Sequence, residues 1–184
     1  MGTSKIKFGT DGWRAIIADE FTFENVRICS QGVAEFQIEH GLEDLPLVVG
    51  YDTRFSSKNF AIAAAEVFAG NGLSVLLCDR VAPTPVVSCN IVKRNAAAGV
   101  VITASHNPGI WNGFKYRTQY GGCADPALLS VIQDQVHGVN ASSGVRKLGL
   151  AEGETQGLIQ TINPETLFFE QIENIVDLQF IRDS

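Results

Sequence analysis

Gly99-Val-Val-Ile-Thr-Ala-Ser105-His106-Asn107-Pro108 is an apolar run that stops in a polar turn. Val100, Val101 and Ile102 are β-branched and are followed by small residues. The run therefore reads as a buried strand that delivers Ser105 and His106 to its carboxyl end. Open α/β sheets place their chemistry at that edge. Pro108 biases Asn107 away from the helical region, so a tight loop is expected rather than the start of a helix. Further on, Asn112-Gly-Phe-Lys115-Tyr reads as a turn feeding a second short strand, which brings a lysine back beside the serine. A hydroxyl, an imidazole and an ammonium then share one loop-hairpin. On composition alone, Ser105 and Asn107 also fit a plainer reading as turn formers.

Upstream segments follow the same plan. Leu47-Val-Val-Gly-Tyr51 is a strand ending in Asp52-Thr-Arg54, with Ser56-Ser57 as cap for an Ala-rich helix from Lys58 to Ala69. Leu73-Ser-Val-Leu-Leu-Cys78 is the next strand, ended by Asp79-Arg80, and Pro83-Thr84-Pro85 breaks the chain before a helix through about Arg94. Strands alternating with helices predict an α/β fold: a three-layer α/β/α domain with a mostly parallel mixed sheet. Right-handed crossovers put the carboxyl ends of the strands on one rim, which gathers Asp52-Thr-Arg54, Pro83-Thr-Pro85 and Ser105-His106.

Before this core, Ile6-Lys-Phe8 is a short alternating strand. It runs into Gly9-Thr-Asp11-Gly12-Trp-Arg14, a tight turn expected to display Arg14 from a loop. Thr22 is placed to cap a helix, with Phe21 and Val26 as hydrophobic staple; Val26, Cys29, Val33 and Phe36 mark its apolar face. After the core, Gly121-Gly122 turns the chain and Asp125-Pro126 starts a helix to about Val136, so a first domain is expected over 1–137. From 138 to 162, Gly138, Asn140, Ser142, Ser143, Gly144, Gly149, Gly153 and Gly157 interrupt every apolar run, and this stretch reads as a linker. Asn163-Pro164-Glu165 is a helix start, and Phe168, Ile172, Ile175 and Val176 give that helix an apolar stripe. Residues 163–184 are accordingly expected to begin a second, incomplete domain, and the stripe predicts self-association of the chain.

Composition narrows the functions available. The 184 residues are 45% hydrophobic and 18% charged, enough to bury a full core. A formal net charge of −6 with no run of Lys and Arg predicts no nucleic-acid partner, so any phosphate must be held by a few placed cations. Cys29, Cys78, Cys89 and Cys123 form no C-x-x-C pair and read as buried, reduced thiols, which predicts a cytoplasmic setting. No stretch approaches the roughly 18 apolar residues of a membrane span, and Met1 to Lys7 carries no apolar leader core, so no membrane partner is expected.

Five motifs now stand in order: Phe8-Gly-Thr-Asp-Gly-Trp-Arg14, Tyr51-Asp-Thr-Arg54, Pro83-Thr-Pro85, Thr103-Ala-Ser105-His-Asn-Pro108 and Asn112-Gly-Phe-Lys115. Together they resemble the N-terminal domain of the α-D-phosphohexomutases, bacterial phosphoglucomutase/phosphomannomutase enzymes in particular. Trp13 and Ala15 depart from the aliphatic residue and the glycine that many relatives place around the arginine. The resemblance implies a four-domain isomerase that interconverts hexose 1-phosphate and hexose 6-phosphate, glucose or mannose, through a phosphoserine and a hexose 1,6-bisphosphate. Phosphoglucosamine mutase is the alternative within the family.

By the same resemblance, the phosphate is carried by Ser105, which thereby becomes a ligand of Mg²⁺ beside carboxylates of a D-x-D-x-D-R loop in the second domain. That loop does not occur in this sequence, so the fragment is expected to be inactive alone and to need the remaining domains of the parent chain as partner. A phosphoserine carries about −1.5 to −2 charges and needs cations beside it. Arg14 and Lys115 are those cations: Arg14 as a fork for phosphate oxygens, Lys115 as charge clamp or as base toward the sugar hydroxyl. His106 is assigned to orient the phosphoseryl group, and Asn107 to fix the loop through side-chain-to-backbone bonding. Asp11 reads as a turn acid, and Asp52 with Arg54 as an ion pair or loop brace. Two readings from other classes stand against this one, a Ser-His hydrolase and a non-catalytic α/β module. Ser105 lacks the G-x-S-x-G elbow of the hydrolases.

Overall fold

The computed structural model describes residues 6–139 and 144–182. Along these the chain forms β1 (Trp13–Ile16), α1 (Phe23–Glu39), β2 (Leu47–Tyr51), α2 (Ser57–Gly70), β3 (Val75–Cys78), α3 (Thr84–Lys93), β4 (Ala98–Ile102) and β5 (Trp111–Thr118). Then follow α4 (Pro126–Gly138), α5 (Leu150–Thr155), β6 (Ile159–Ile162), α6 (Glu165–Ile175) and α7 (Leu178–Arg182). The strands make one mixed sheet in the order β1-β5-β4-β2-β3-β6. Strands β4, β2, β3 and β6 are mutually parallel, while β5 runs antiparallel between β4 and β1. Helices α1, α2 and α4 pack together on one face and α3 with α6 on the other, the three layers that the alternation of strands and helices predicts.

Residues that must lie between two helical layers are apolar on both faces of their strand. All five residues of β2 and of β4 are buried, and Val100, Val101 and Ile102 are wholly so, each contributing about 1.5–3 kcal/mol of burial. Helix α1 begins where Thr22 accepts a hydrogen bond from the Asn25 amide at 3.2 Å, with Phe21 and Val26 packed in the core beside the cap. A close approach then locks α1 to α4: a Cβ on Gly32 would lie 2.7 Å from the Val136 backbone nitrogen, so only glycine fits there. Asp125 caps α4 by accepting from the Leu128 amide at 2.9 Å.

Three local expectations are corrected. Ile6 to Phe8 forms no strand; the Phe8 amide donates instead to the Gln133 side chain at 2.8 Å, and the edge of β5 is taken after the turn by Trp13–Ile16. Arg14 is therefore displayed from edge strand β1, not from a loop. Ser56 sits at the start of α2 with φ 60° and makes no side-chain cap, because a capping residue needs extended backbone and Ser56 is left-handed; Ser57 turns its hydroxyl to Asp52.

The stretch read as a linker is also more than a connector. Asn140, Ser142 and Ser143 lie outside the described residues, but the segment beyond them lies along α2, where Leu148 donates its amide to the Glu66 carbonyl and Leu150 its amide to the Glu66 carboxylate. It then supplies β6, which pairs in parallel with β3 from Val75↔Ile159 to Cys78↔Ile162. Four residues carry too little periodicity to announce a strand, and β6 forms because β3 offers it an open edge. Helix α6 docks its first turn on α3, where Asn90 donates to the Pro164 carbonyl at 2.7 Å, while Phe169 and Ile175 farther along stay exposed.

Candidate active site

Strand β4 ends at Ile102, and the chain leaves the sheet through Thr103 and Ala104 into an exposed Ser105. Ser105 has φ 59°, in the left-handed region that costs an L-residue about 1–2 kcal/mol. Local bonds hold it there: the Ser105 amide donates to the Thr103 hydroxyl at 2.9 Å, and the Asn107 amide to the Ala104 carbonyl at 3.1 Å. Strain of this kind persists only where surrounding contacts over-determine it.

Those contacts come from Arg54. Its guanidinium donates to four backbone carbonyls of the loop, those of Ser105, Asn107, Pro108 and Trp111, at 2.7–2.9 Å. Asp52 aims the guanidinium, accepting from the Arg54 amide at 2.9 Å and from Nε at 3.2 Å. Behind Asp52 the network runs into the core, where the Ser57 hydroxyl donates to Asp52 at 2.8 Å and accepts from the Asn112 amide group at 2.9 Å. Ser57 and Asn112 are both buried. Asp52 and Arg54 thus form the loop brace expected of them, and the brace is anchored in the interior.

A second network crosses the sheet face on the α3 side. Lys115 lies opposite Val101 and Arg117 opposite Gly99 in the β4–β5 register, and both side chains are almost fully buried. Asp11 receives Lys115 Nζ at 2.5 Å, an Arg117 nitrogen at 3.0 Å and an Arg14 nitrogen at 3.7 Å. Burial pushes the Asp11 carboxyl up, but Lys115 and Arg117 outweigh it and hold the group below its ordinary value of 3.8. Arg14 joins this cluster to the serine loop by donating to Asn107 Oδ1 at 3.0 Å. Its stem lies over Gly113, where a Cβ would meet the Thr103 carbonyl at 2.5 Å and Arg14 Cγ at 3.1 Å.

The structure therefore brings Ser105, Arg14 and Lys115 into one connected network, through Asn107 and Asp11. His106 stands exposed in the loop, with no hydrogen bond among the described residues. Asn107 acts through its side chain on Arg14, not on backbone as expected. Asp11 is the residue that sequence reasoning missed: the Gly-Thr-Asp-Gly setting signals a turn, and nothing local in it signals three cations. Arg117 was missed likewise, although its place two residues after Lys115 puts both on one strand face. Cys123, expected to be buried, is exposed and lies against Arg117 and Asp11.

Among the described residues no three His, Cys, Asp or Glu side chains cluster to hold a metal. Asp52 is occupied by Arg54 and Ser57, while Ser105 and His106 are the exposed polar side chains at the tip of the loop.

The family model for phosphoglucomutase/phosphomannomutase, alpha/beta/alpha domain I, matches residues 5–142. The chain belongs to the phosphoglucomutase/phosphomannomutase family. Within that family it is 31% identical to the phosphoglucomutase of Komagataeibacter xylinus across its whole length, covering 35% of that protein. It is 40% identical to a probable phosphoribomutase of Schizosaccharomyces pombe over 65% of this chain and 21% of that one. A crystal structure of a putative phosphomannomutase from Thermus thermophilus superposes with a TM-score of 0.83 at 33% identity, over 95% of this chain and 37% of that one. The chain thus spans about a third, or less, of the length of these phosphoglucomutase/phosphomannomutase relatives.

Proposed function

We propose that this chain is the phosphoserine-bearing part of a phosphosugar mutase that interconverts sugar 1-phosphates and 6-phosphates of the glucose and mannose type. The observation that carries this is the strained, exposed Ser105, held at the sheet's carboxyl rim by Arg54 and tied through Asn107 to the cation Arg14. Phosphoryl transfer asks a protein chiefly for in-line positioning and neutralisation of negative charge. For these the brace holds the serine loop, and Arg14, joined to Lys115 through Asp11, is the cation linked to that loop.

In the reaction proposed, a sugar hydroxyl attacks the phosphorus of phosphoserine 105. The new P–O bond to the sugar forms as the bond to Ser105 Oγ breaks, and in net terms the hydroxyl proton passes to the serine. The bisphosphate turns over in the site and returns its other phosphate to Ser105. Lys115, whose ammonium donates to Asp11, serves as charge clamp. His106, exposed beside the serine, orients the phosphoryl group. Among the described residues Mg²⁺ would be held through a phosphate on Ser105, where it would neutralise charge on the transferring group, and its other ligands would come from the part of the protein that this chain does not span. Hexose 1,6-bisphosphate is the activator that charges the serine.

Those further regions are the proposed partners of this chain, and they carry the choice among glucose, mannose and glucosamine phosphates. A cytoplasmic setting is proposed from four cysteines that all remain free thiols. No helix among the described residues is long and apolar enough to cross a membrane. Intact-mass spectrometry of the whole protein tests the core of the reading: one phosphate is expected, lost in Ser105→Ala together with sugar-phosphate turnover. An unphosphorylated wild type that resists charging by glucose 1,6-bisphosphate would overturn it.

A further inference from the structure

We propose that Asp11 is a positioning residue of the phosphoryl-transfer site, holding Lys115 and Arg14 where they meet a phosphate on Ser105. The inference rests on the reading of Ser105 as phosphate carrier. Three cations converge on this one carboxylate. Oδ2 takes Lys115 Nζ at 2.5 Å and Arg14 at 3.7 Å, while Oδ1 takes Arg117 at 3.0 Å and the Cys123 thiol at 3.3 Å. Both oxygens are engaged, so Asp11 acts through its neighbours and not on the substrate.

The charges explain why an anion is needed there. Lys115 and Arg117 have side chains only 4% and 8% exposed, and they lie on the same face of β5, two residues apart. Two desolvated cations so close repel each other and are costly without a counter-ion. Asp11 offsets one of the three positive charges and leaves the cluster at a net +2, the complement of a phosphoseryl group carrying about −1.5 to −2. Without Asp11 the ammonium would swing toward solvent or the phosphate, and Arg14 would lose the second of its two anchors, Asn107 being the first.

Asp11 is itself fixed by backbone. Gly12 follows it at φ 100°, and a Cβ at Gly12 would run into the Phe114 carbonyl, so the turn presses against β5 and brings the carboxylate over Lys115. The carboxylate therefore ties the lead-in of β1 to β5 at the level of the two buried cations, and through Arg14 to the serine loop.

The test is a double-mutant cycle in the intact protein, with kcat and KM read separately and each variant's melting temperature recorded. Asp11→Asn is expected to lower kcat by about 10- to 100-fold, with KM changing by less than about threefold, because misplaced charge affects the transfer step. Asp11→Glu should recover part of kcat. In a Lys115→Met background, followed by ³¹P NMR over hours so that slow turnover is measured, Asp11→Asn should cost at most about a third of the factor it costs in the wild type, since of the two cations it positions Arg14 alone remains. A kcat near wild type in Asp11→Asn, or its full loss repeated on top of Lys115→Met, overturns the proposal. If Asp11→Asn does not fold at the assay temperature, Asp11→Thr is carried through the same cycle with the same two outcomes. Failure of the Ser105 reading is seen separately, as a wild type with no Ser105-dependent phosphate.

Discussion

The guanidinium of Arg54 donates to the carbonyl of Ser105 at 2.8 Å, across 51 residues of sequence. Three more carbonyls of the same loop end on the same group, so one side chain fixes the conformation of the proposed phosphate carrier. Arg54→Ala is expected to lower stability by about 1–3 kcal/mol and to slow phosphorylation of Ser105 by bisphosphate far more than that loss of fold explains. Arg54→Lys should not rescue it, because an ammonium cannot span four carbonyls as a planar fork does. Thermal melting beside a mass-spectrometric charging assay reads both effects.

The left-handed backbone at Ser105 separates its two roles. Ser105→Ala and Ser105→Gly should both abolish phosphorylation, yet Ser105→Gly should be the more stable by about 1 kcal/mol, since glycine takes φ 59° without strain. Equal stability in chemical denaturation would show that the loop relaxes out of this conformation when the hydroxyl is lost.

Asp11 makes stability depend on pH in a defined window. Its folded carboxyl titrates below 3.8, so its ion pairs contribute fully above 3.8 and are lost as pH falls through the lowered value. The stability gap between wild type and Asp11→Asn should therefore be largest near neutrality and close on acidification below that window. Urea melts across the acid range check this; a gap that widens toward low pH contradicts it.

Thiol reactivity should follow burial. Burial, with Asp79 beside it, pushes the Cys78 thiol up to about 12, and burial pushes Cys29 up as well. Cys123 is exposed. Alkylation of the native chain should label Cys123 first, Cys89 more slowly, and Cys29 and Cys78 only after unfolding, as peptide mapping over time would show.

The far end of the chain presents Phe169, Ile175 and Ile181 at 58%, 66% and 61% exposure on α6 and α7. The 184-residue chain should self-associate through these exposed side chains, and a Phe169→Glu, Ile175→Glu pair should return it to monomer. Light scattering that finds wild type monomeric at high concentration would refute the expectation.

The sequence alone determined the alternation of strands and helices, the caps at Thr22 and Asp125, and the rim where Asp52, Arg54 and Ser105 meet. These follow from local periodicity and from the fixed handedness of crossovers, so a single chain read in order contains them. Ser105, Arg14 and Lys115 stood out as candidates because each sits in a short motif. Only the tertiary structure decided that Ile159–Ile162 completes the sheet, that Arg14 stands on an edge strand, and that Asp11 is the counter-ion for cations up to 106 residues away. Those facts depend on which edges and which charges fold into contact. Four residues of weak pattern, or one carboxylate between two glycines, have no identity as partners until β3 and β5 lie beside them.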